Sequence, residues 1–284
     1  MIVTRLIGGL GNQMFQYAAA RALGLRTGGA VYIDRRDFAS YAVHAYALDV
    51  FTLDARDAAP EHLPAAGFGA RLGRLLRGRR SPRHVRERGL RFDPQICALG
   101  GAVYLDGYWQ CERYFADRAA EIRRDFAFRQ APSPANAAFL DRIAGETSVS
   151  LHIRRGDYVS NPQALAVHGT CPPDYYVRAV ELLMRRAGCD LTAFVFSDDH
   201  DWVADHLRLP VPMVQVAGND AAHAYEDLRL MAACRHHVIA NSSFSWWGAW
   251  LDPRPDAMVV APARWFADPA RDATDILPER WIRM

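Results

Sequence analysis

Strand signals alternate with helix signals along both halves of this sequence, and this alternation limits the possible folds more than any other feature. Apolar runs typical of strands cover 1–7, 30–34 and 102–106 in the first half, and 149–154, 191–196, 211–216, 237–240 and 258–261 in the second. Helical periodicity lies between them, at 12–25, 114–125, 135–144, 174–187 and 222–234. A chain that alternates in this way is expected to form α/β domains with mainly parallel sheets.

One proline-rich segment marks the expected boundary between two domains. Residues 131–134 read Ala-Pro-Ser-Pro and carry no core residue, which is typical of a linker. The 284 residues would then divide into domains at 1–131 and 132–284. The stretch 54–91 is rich in Ala, Pro, Gly and Arg and is the poorest candidate for globular structure.

The composition excludes several classes of chemistry. All 34 basic residues are arginine, so there is no lysine to serve as a P-loop ligand, a Schiff base or a general base. The formal net charge of +2 does not indicate nucleic-acid binding. Five cysteines at irregular spacing predict neither a disulfide framework nor a zinc site. With no signal peptide and no apolar run of membrane-spanning length, the sequence predicts a cytoplasmic protein.

A strand that ends in two arginines gives the strongest functional signal. Alternation over 149–154 places His152 and Arg154 on one face, and the strand breaks at Gly156. Arg154 and Arg155 therefore lie where open α/β sheets bind their ligands. An arginine there could pair with a surface carboxylate, but a guanidinium also donates two parallel hydrogen bonds to phosphate oxygens. The whole pattern favours a phosphate-containing ligand.

Two further strand ends in the second half carry polar residues. Asp198 and Asp199 follow one strand, and Asn241, Ser242 and Ser243 follow another. The carboxyl ends of parallel strands lie along one edge, so a nucleotide there would meet all three clusters. The serines would open a helix whose N–H groups bind phosphate, and a carboxylate would accept hydrogen bonds from guanine N1 and N2. Taken singly, these residues are better explained as a helix cap or a loop acid pair, so the interpretation depends on their coincidence.

An aromatic segment follows the serines. Phe244, Trp247, Trp250 and Leu251 share one face of a helix, and most of that face is expected to be core. Phe244 is the exception, because it lies one turn from the helix start, where a base or ribose could pack.

No metal and no further cofactor is expected. Asp199-His200-Asp201 matches a metal-nucleotide signature that is common by chance, and the two arginines already supply positive charge. Gly9-Leu10-Gly11 is similar to a dinucleotide fingerprint but lacks its third glycine. Asn12 and Gln13 instead offer amide groups at a helix N-terminus.

These segments together resemble the α-1,2-fucosyltransferase family, glycosyltransferase family 11. The resemblance follows family order across nearly the whole chain, in Gly-Gly-Leu-Gly-Asn-Gln-Met-Phe-Gln-Tyr-Ala at 8–18, Gly-Tyr-Trp-Gln at 107–110, His-Ile-Arg-Arg-Gly-Asp-Tyr at 152–158, Phe-Ser-Asp-Asp at 196–199 and Asn-Ser-Ser-Phe-Ser-Trp-Trp-Gly-Ala-Trp-Leu at 241–251. The last piece is very specific, whereas the arginine piece is shared with α-1,6- and protein-O-fucosyltransferases. The resemblance implies an α/β fold of GT-B type, with two Rossmann-like domains, mainly parallel sheets and a cleft between them.

The resemblance also implies an activity. The C-terminal domain would bind GDP-β-L-fucose and the N-terminal domain an acceptor glycan. Fucose would pass, with inversion and without metal, to the 2-hydroxyl of a terminal galactose. Arg154 would contact the β-phosphate and stabilise the leaving GDP. His152 and Asp198 would recognise the guanine nucleoside, and Ser243 and Phe244 would lie against phosphate and nucleoside.

Two more residues are candidates for the catalytic centre. The resemblance implies that Asn12 lies near the reaction centre on the acceptor side. Asp157 is the carboxylate nearest the arginines in sequence and is a candidate for the base that deprotonates the acceptor hydroxyl. Orienting Arg155 or capping the turn is a slightly better explanation of Asp157.

The segment from Arg71 to Arg91 departs from the family pattern. It holds nine arginines against one acid, Glu87. A solvated surface explains such a run, and a second hypothesis is peripheral contact with anionic lipid at the inner face of the membrane. Two alternative functions also stand: a GT-B transferase that uses another nucleotide sugar, and a catalytically silent protein that binds glycans or nucleotides.

Overall fold

The structure is a computed structural model that describes residues 1–40, 43–65 and 81–284, apart from the side chain of Asp157. The chain divides into two compact units. One is formed by Met1–Gln130 with Thr274–Ile276, and the other by Ala131–Ala273 with Leu277–Met284. Each unit holds a parallel sheet with helices, as the alternation of strands and helices predicts.

The first unit is built on a five-stranded parallel sheet in the order β3-β2-β1-β5-β4. Its strands are β1 (Ile2–Arg5), β2 (Val31–Asp34), β3 (Arg56–Asp57), β4 (Arg83–Arg86) and β5 (Val103–Asp106), and its described α-helices are α1 (Leu10–Thr27), α2 (Pro94–Cys97) and α3 (Ala119–Asp125). The chain turns from β1 into α1 at Gly8, whose φ of 77° favours glycine. Helix α1 is largely buried along its run of small residues, which lets it pack closely on the sheet.

Both edge strands of this sheet come from the stretch 54–91. The expectation that this stretch is poorly structured is wrong at its two ends, because β3 pairs with β2 and β4 pairs with β5 over its full length. Edge strands carry charged side chains in place of the apolar alternation of central strands, so they give a weak sequence signal. Residues 66–80, including the arginines from Arg71 to Arg80, lie outside the described residues, and the hypothesis of membrane contact stays untested. Within the described ranges, no helix combines the length and hydropathy that crossing a bilayer requires.

The second unit is built on a six-stranded parallel sheet in the order β8-β7-β6-β9-β10-β11. Its strands are β6 (Ser148–Ile153), β7 (Thr192–Ser197), β8 (Met213–Gln215), β9 (His236–Val238), β10 (Val259–Ala261) and β11 (Ile282–Arg283). Its described helices are α4 (Pro134–Gly145), α5 (Gly156–Ser160), α6 (Pro162–His168), α7 (Pro173–Ala187), α8 (His200–His206), α9 (Ala224–Ala233) and α10 (Ser243–Leu251). If β6 is numbered 1, the strand order is 3-2-1-4-5-6, which is the order of doubly wound folds. The order of the strands reverses between β6 and β9.

Strand β6 is buried along its whole length and carries both an apolar and a polar face. Val149 and Leu151 pack in the core cluster that α7 covers. On the other face, Ser150 Oγ lies 2.9 Å from Nδ1 of His237, and Nε2 of His237 lies 3.0 Å from Oδ2 of Asp252. Burial lowers the pKa of His237, so its neutral ring donates to Asp252 and accepts from Ser150. This buried line of hydrogen bonds joins β6, β9 and the residue that follows α10.

Candidate functional site

Polar residues that follow two neighbouring strands, β6 and β7, meet beside the reversal point of the second sheet. Arg154 follows β6, which pairs with β7 on one side and β9 on the other. Asp198 follows β7, and Nη1 of Arg154 lies 2.7 Å from its Oδ2. The structure therefore brings together two site residues that are 44 positions apart in the sequence.

The pair formed by Arg154 and Asp198 is reachable from solvent, since 31% and 27% of the two side chains are exposed. Asp198 also accepts the backbone N–H of Arg155 at 2.8 Å. A Cβ on Gly156 would lie 2.7 Å from Oδ2 of Asp198, so a side chain at this position would make the carboxylate shift. Glycine after the two arginines therefore leaves room for the carboxylate in its observed position.

The guanidinium of Arg155 is engaged by two side chains on the helix after β7. Its Nε donates to Oδ2 of Asp199 at 3.0 Å, and its Cζ lies 4.1 Å from the centre of the Trp202 ring. Asp199 also begins α8 by accepting the backbone N–H of Trp202 at 3.1 Å. Arg155 therefore connects the end of β6 to α8. Its contact with a diphosphate stays a prediction. Sequence reasoning missed Trp202, which carries no motif.

His152 is buried in β6 with an unsatisfied polar atom. Its ring centre lies 5.8 Å from that of Phe244, and its Nδ1 has no hydrogen-bond partner among the described residues. Burial lowers the pKa of His152 to about 4, with the Asp198 carboxylate opposing the shift and the Arg154 guanidinium adding to it. The neutral ring can donate one hydrogen bond and accept another. Buried polar atoms are rarely left without a partner, which marks His152 as a candidate ligand contact.

The two serines open α10 in different ways. Ser242 is buried and caps the helix, because its Oγ accepts the backbone N–H of Phe244 at 3.3 Å. Ser243 is the first residue of the helix and is partly exposed. Ser242 is therefore a helix cap, which is the alternative explanation that the sequence analysis gave. Contact of either serine with phosphate stays a prediction.

Tyr158, which belongs to a motif quoted above but was given no role there, packs next to Arg154. The Tyr158 ring is 5.5 Å from Cζ of Arg154 and stacks on His168 with ring centres 4.5 Å apart. The hydroxyl of Tyr158 donates to the carbonyl of Asn241 at 3.4 Å. The side-chain amide of Asn241 donates in turn to the carbonyls of His168 and Trp265. Asn241 therefore connects the segments that contain His168 and Trp265, because its side chain binds their backbone carbonyls.

Two predictions for this site have no test in the structure. Asp157 lies in α5, and its side chain is outside the described residues, so its role as a base stays a prediction. In the part of the chain that the structure describes, no group of three or more His, Cys, Asp or Glu side chains is arranged to hold a metal ion.

Asn12 lies in the first turn of α1, at the point where the order of the first sheet reverses between β1 and β5. Its Oδ1 accepts a hydrogen bond of 2.7 Å from Nε2 of Gln110. Gln110 belongs to the Gly-Tyr-Trp-Gln segment that follows β5. The first unit thus brings together two of the segments that carry the family resemblance.

Glu87, directly after β4, holds the Gly-Tyr-Trp-Gln segment in a strained turn. Its carboxylate accepts the backbone N–H groups of Tyr108 at 2.6 Å and Trp109 at 2.9 Å. Among the described residues, Trp109 alone of the non-glycine residues has a positive φ, at 56°. A strained backbone of this kind persists only where its surroundings hold it, and such places are often functional. Sequence reasoning missed Glu87 because it lies in the arginine-rich stretch.

Comparison with known proteins places this geometry in context. Residues 85–284 match the model of the family described as Glycosyl transferase family 11. An alpha-1,2-colitosyltransferase of Escherichia coli is 34% identical over 276 residues, which cover 94% of this chain and 92% of that protein. The human galactoside alpha-(1,2)-fucosyltransferase 1 is 26% identical over 254 residues, which cover 86% of this chain and 63% of that protein.

A solved structure supports the fold. Arabidopsis thaliana FUT1, as a mutant in complex with GDP, is 10% identical, with a TM-score of 0.51 over 92% of this chain and 69% of that chain. At this identity the likeness concerns the fold alone. Together with the two parallel sheets, it confirms the predicted GT-B-type architecture of two Rossmann-like units.

Proposed function

The chain belongs to glycosyltransferase family 11, and on that basis we propose that it transfers L-fucose from GDP-β-L-fucose to the 2-hydroxyl of a terminal galactose in a glycan. The transfer inverts the anomeric centre and uses no metal. One observation carries the proposal: the guanidinium of Arg154 lies at the carboxyl end of β6, 2.7 Å from Asp198, where doubly wound sheets bind nucleotides.

The proposed chemistry depends on charge that develops in the transition state. The bond between the anomeric carbon of fucose and the β-phosphate oxygen breaks, and the electron pair leaves with GDP. Arg154 stabilises the negative charge that grows on the β-phosphate, and preorganised donors of this kind are usually the largest catalytic contribution. The galactose 2-hydroxyl attacks from the opposite face and loses its proton to a base, for which Asp157 is the candidate.

The nucleoside is held by residues around the buried histidine. His152 offers its unsatisfied Nδ1, and Asp198 offers carboxylate oxygens to guanine N1 and N2. Phe244 packs against the base or ribose, and Ser243 lies at the N-terminus of α10, where the helix dipole favours phosphate. These assignments follow the family resemblance residue by residue, and the geometry of His152 supports them.

A second donor is favoured by one comparison. The Escherichia coli relative that aligns with 94% of this chain is named as a colitosyltransferase. Colitose is L-fucose without its 3-hydroxyl, so GDP-colitose would present the same diphosphate and nucleoside to Arg154 and His152. The choice between the two donors depends on whether the sugar pocket binds the 3-hydroxyl.

One assay tests the proposal. The protein is incubated in EDTA with GDP-fucose or GDP-colitose and a panel of β-galactosides, and the linkage of the product is determined. We expect an α-1,2-linked fucoside. A site that hydrogen-bonds the 3-hydroxyl would prefer GDP-fucose by about 10⁴-fold, whereas a site that leaves this hydroxyl unbound would use both donors. Transfer from a UDP-sugar, or binding of GDP-fucose without any product, would contradict the proposal and favour one of the alternative functions.

A further inference from the structure

We propose that a cavity in the first unit binds a second, neutral saccharide unit of the acceptor glycan, an inference that rests on the proposed function. The cavity has a volume of about 350 Å³ and lies beside the carboxyl ends of β2 and β3. Its polar lining consists of Arg35, Tyr46, Asp49, Arg56, Asp57 and Arg129.

The lining combines an aromatic ring with planar charged groups. Cζ of Arg35 lies 4.9 Å from the centre of the Tyr46 ring, and Nη2 of Arg35 lies 2.6 Å from Oδ2 of Asp57. An aromatic face accommodates the C–H groups of a pyranose ring, while guanidinium and carboxylate groups donate to and accept from its hydroxyls. Six of the ten lining residues are polar or charged, which suits a ligand rich in hydroxyl groups.

The charged groups of the lining suit a ligand rich in hydroxyl groups. Three arginines face two aspartates in the lining, so both signs are interspersed. The Arg35 and Asp57 side chains form an ion pair and are 47% and 62% exposed, so each keeps surface for a ligand. The two aspartates offset two of the three positive charges, and the vicinal hydroxyls of a saccharide can use both members of the ion pair.

The cavity is connected to the proposed reaction centre through Gln13. Nε2 of this buried residue donates to the carbonyl of Ala45 at 2.9 Å, and its Oε1 accepts the backbone N–H of Ala47 at 2.9 Å. These two bonds hold the backbone on both sides of Tyr46. Gln13 directly follows Asn12, so one turn of α1 positions both the residue near the reacting galactose and the aromatic ring of the cavity.

The spacing of the strands fits a neighbouring sugar. β2 is adjacent to β1, which leads to Asn12, and β3 is the next strand outward. Neighbouring strands lie about 4.8 Å apart, so the cavity is displaced sideways from the end of β1 by roughly 5–10 Å. One or two pyranose rings cover this span. The cavity is therefore placed to hold a sugar one or two units from the galactose that accepts fucose.

The test compares a short and a long acceptor. The donor is GDP-fucose, and the acceptors are methyl β-galactoside and lacto-N-tetraose, a linear tetrasaccharide that ends in β-galactose. The wild type should have the higher kcat/KM for the tetrasaccharide. Tyr46→Ala should lower kcat/KM for the tetrasaccharide by about ten-fold, while kcat/KM for methyl β-galactoside and KM for GDP-fucose stay unchanged. Tyr46→Phe keeps the ring and should retain most of the preference.

Arg83→Ala is the matched control, because Arg83 is exposed on β4 at the opposite edge of the same sheet and should change neither value. The inference is overturned if the wild type does not prefer the tetrasaccharide, or if Tyr46→Ala affects both acceptors equally.

A separate readout distinguishes failure of this inference from failure of the proposed function. If the wild type fucosylates neither acceptor, the proposed function fails, and the cavity is tested by binding alone. Saturation-transfer NMR then measures contact of lacto-N-tetraose with the wild type and with Tyr46→Ala in the absence of donor. A signal that Tyr46→Ala abolishes would support the cavity as a saccharide site, and a signal that is absent or equal in both proteins would overturn it.

Discussion

Gln110 donates a side-chain amide hydrogen to Oδ1 of Asn12 at 2.7 Å. The bond determines which end of the Asn12 carboxamide accepts, and it leaves the NH₂ end beside Gly8. Glu87 fixes the turn that carries Gln110 by accepting two of its backbone N–H groups. The orientation of Asn12 is therefore set by a chain of contacts that begins at Glu87, directly after the edge strand β4.

Removal of the Gln110 amide should impair turnover without weakening donor binding. We expect Gln110→Ala to lower kcat by about ten-fold, the equivalent of one lost hydrogen bond, and to leave KM for GDP-fucose unchanged. Gln95→Ala, an exposed glutamine of the same unit, is the control. In a double-mutant cycle, the effects of Gln110→Ala and Asn12→Ala should not add, and full additivity would show that the bond does not matter for catalysis.

Replacement of Arg154 should remove most of the catalysis. Arg154→Ala is expected to lower turnover of GDP-fucose by about 10³-fold, by analogy with removal of an oxyanion donor. Arg154→Lys should also be strongly impaired, because a point charge does not reproduce two parallel hydrogen bonds. Arg178→Ala, on the exposed face of α7, should behave as wild type. A variant Arg154→Ala that keeps a tenth of the wild-type rate would defeat the assignment.

The glycine after the two arginines should not tolerate a side chain. In Gly156→Ala the new Cβ would lie 2.7 Å from Oδ2 of Asp198, so the carboxylate that contacts Arg154 must shift from its present position. We expect titration calorimetry to show GDP affinity reduced by about ten-fold or more. Gly145→Ala is the control, because a Cβ there meets nothing within 4 Å. Equal GDP affinity in both variants would mean that the position of Asp198 is unimportant for the nucleotide.

His152 should make stability depend on pH in a defined window. Its folded pKa of about 4 lies below the ordinary value of 6.5, so the unfolded chain takes up the proton first as the pH falls. The stabilisation is complete above about pH 6.5 and is lost progressively toward pH 4. Urea unfolding at several pH values should therefore show a steeper rise in unfolding free energy for the wild type than for His152→Gln. His237 is present in both proteins and cancels in the difference, so parallel curves would contradict the buried neutral state of His152.

The sequence was sufficient for the central elements of both sheets. β6 alternates apolar and polar residues, β7 is largely apolar, and the helices between strands carry clear periodicity. Burial in the core of the sheets specifies these patterns. β3 and β4 escaped prediction, since the charged side chains of edge strands remove that pattern. The sequence patterns predict no helix between 154 and 174, where the structure contains α5 and α6. The Asn161-Pro162 start of α6 could have revealed it, because Asn161 caps the helix and proline suits its first turn.

Some residues of the candidate site could be predicted from the sequence, and others could not. The residues at strand ends, such as Arg154 and Asp198, could be predicted to meet because parallel strands share one carboxyl edge. The supporting contacts could not be predicted. Trp202 beneath Arg155 and Glu87 beneath Trp109 belong to no motif, and their partners are set by tertiary packing across positions distant in sequence.

The chain returns to the first unit at Thr274–Ile276 before it adds β11 to the second. Asp275 accepts the backbone N–H of Phe92 at 2.9 Å, so the first unit depends on a residue that is synthesised 183 positions after Phe92. On the ribosome, neither unit can reach its final form until these late residues have emerged. A nascent chain that is stalled or cut before position 274 would carry two unfinished units, and such intermediates are prone to aggregation and proteolysis.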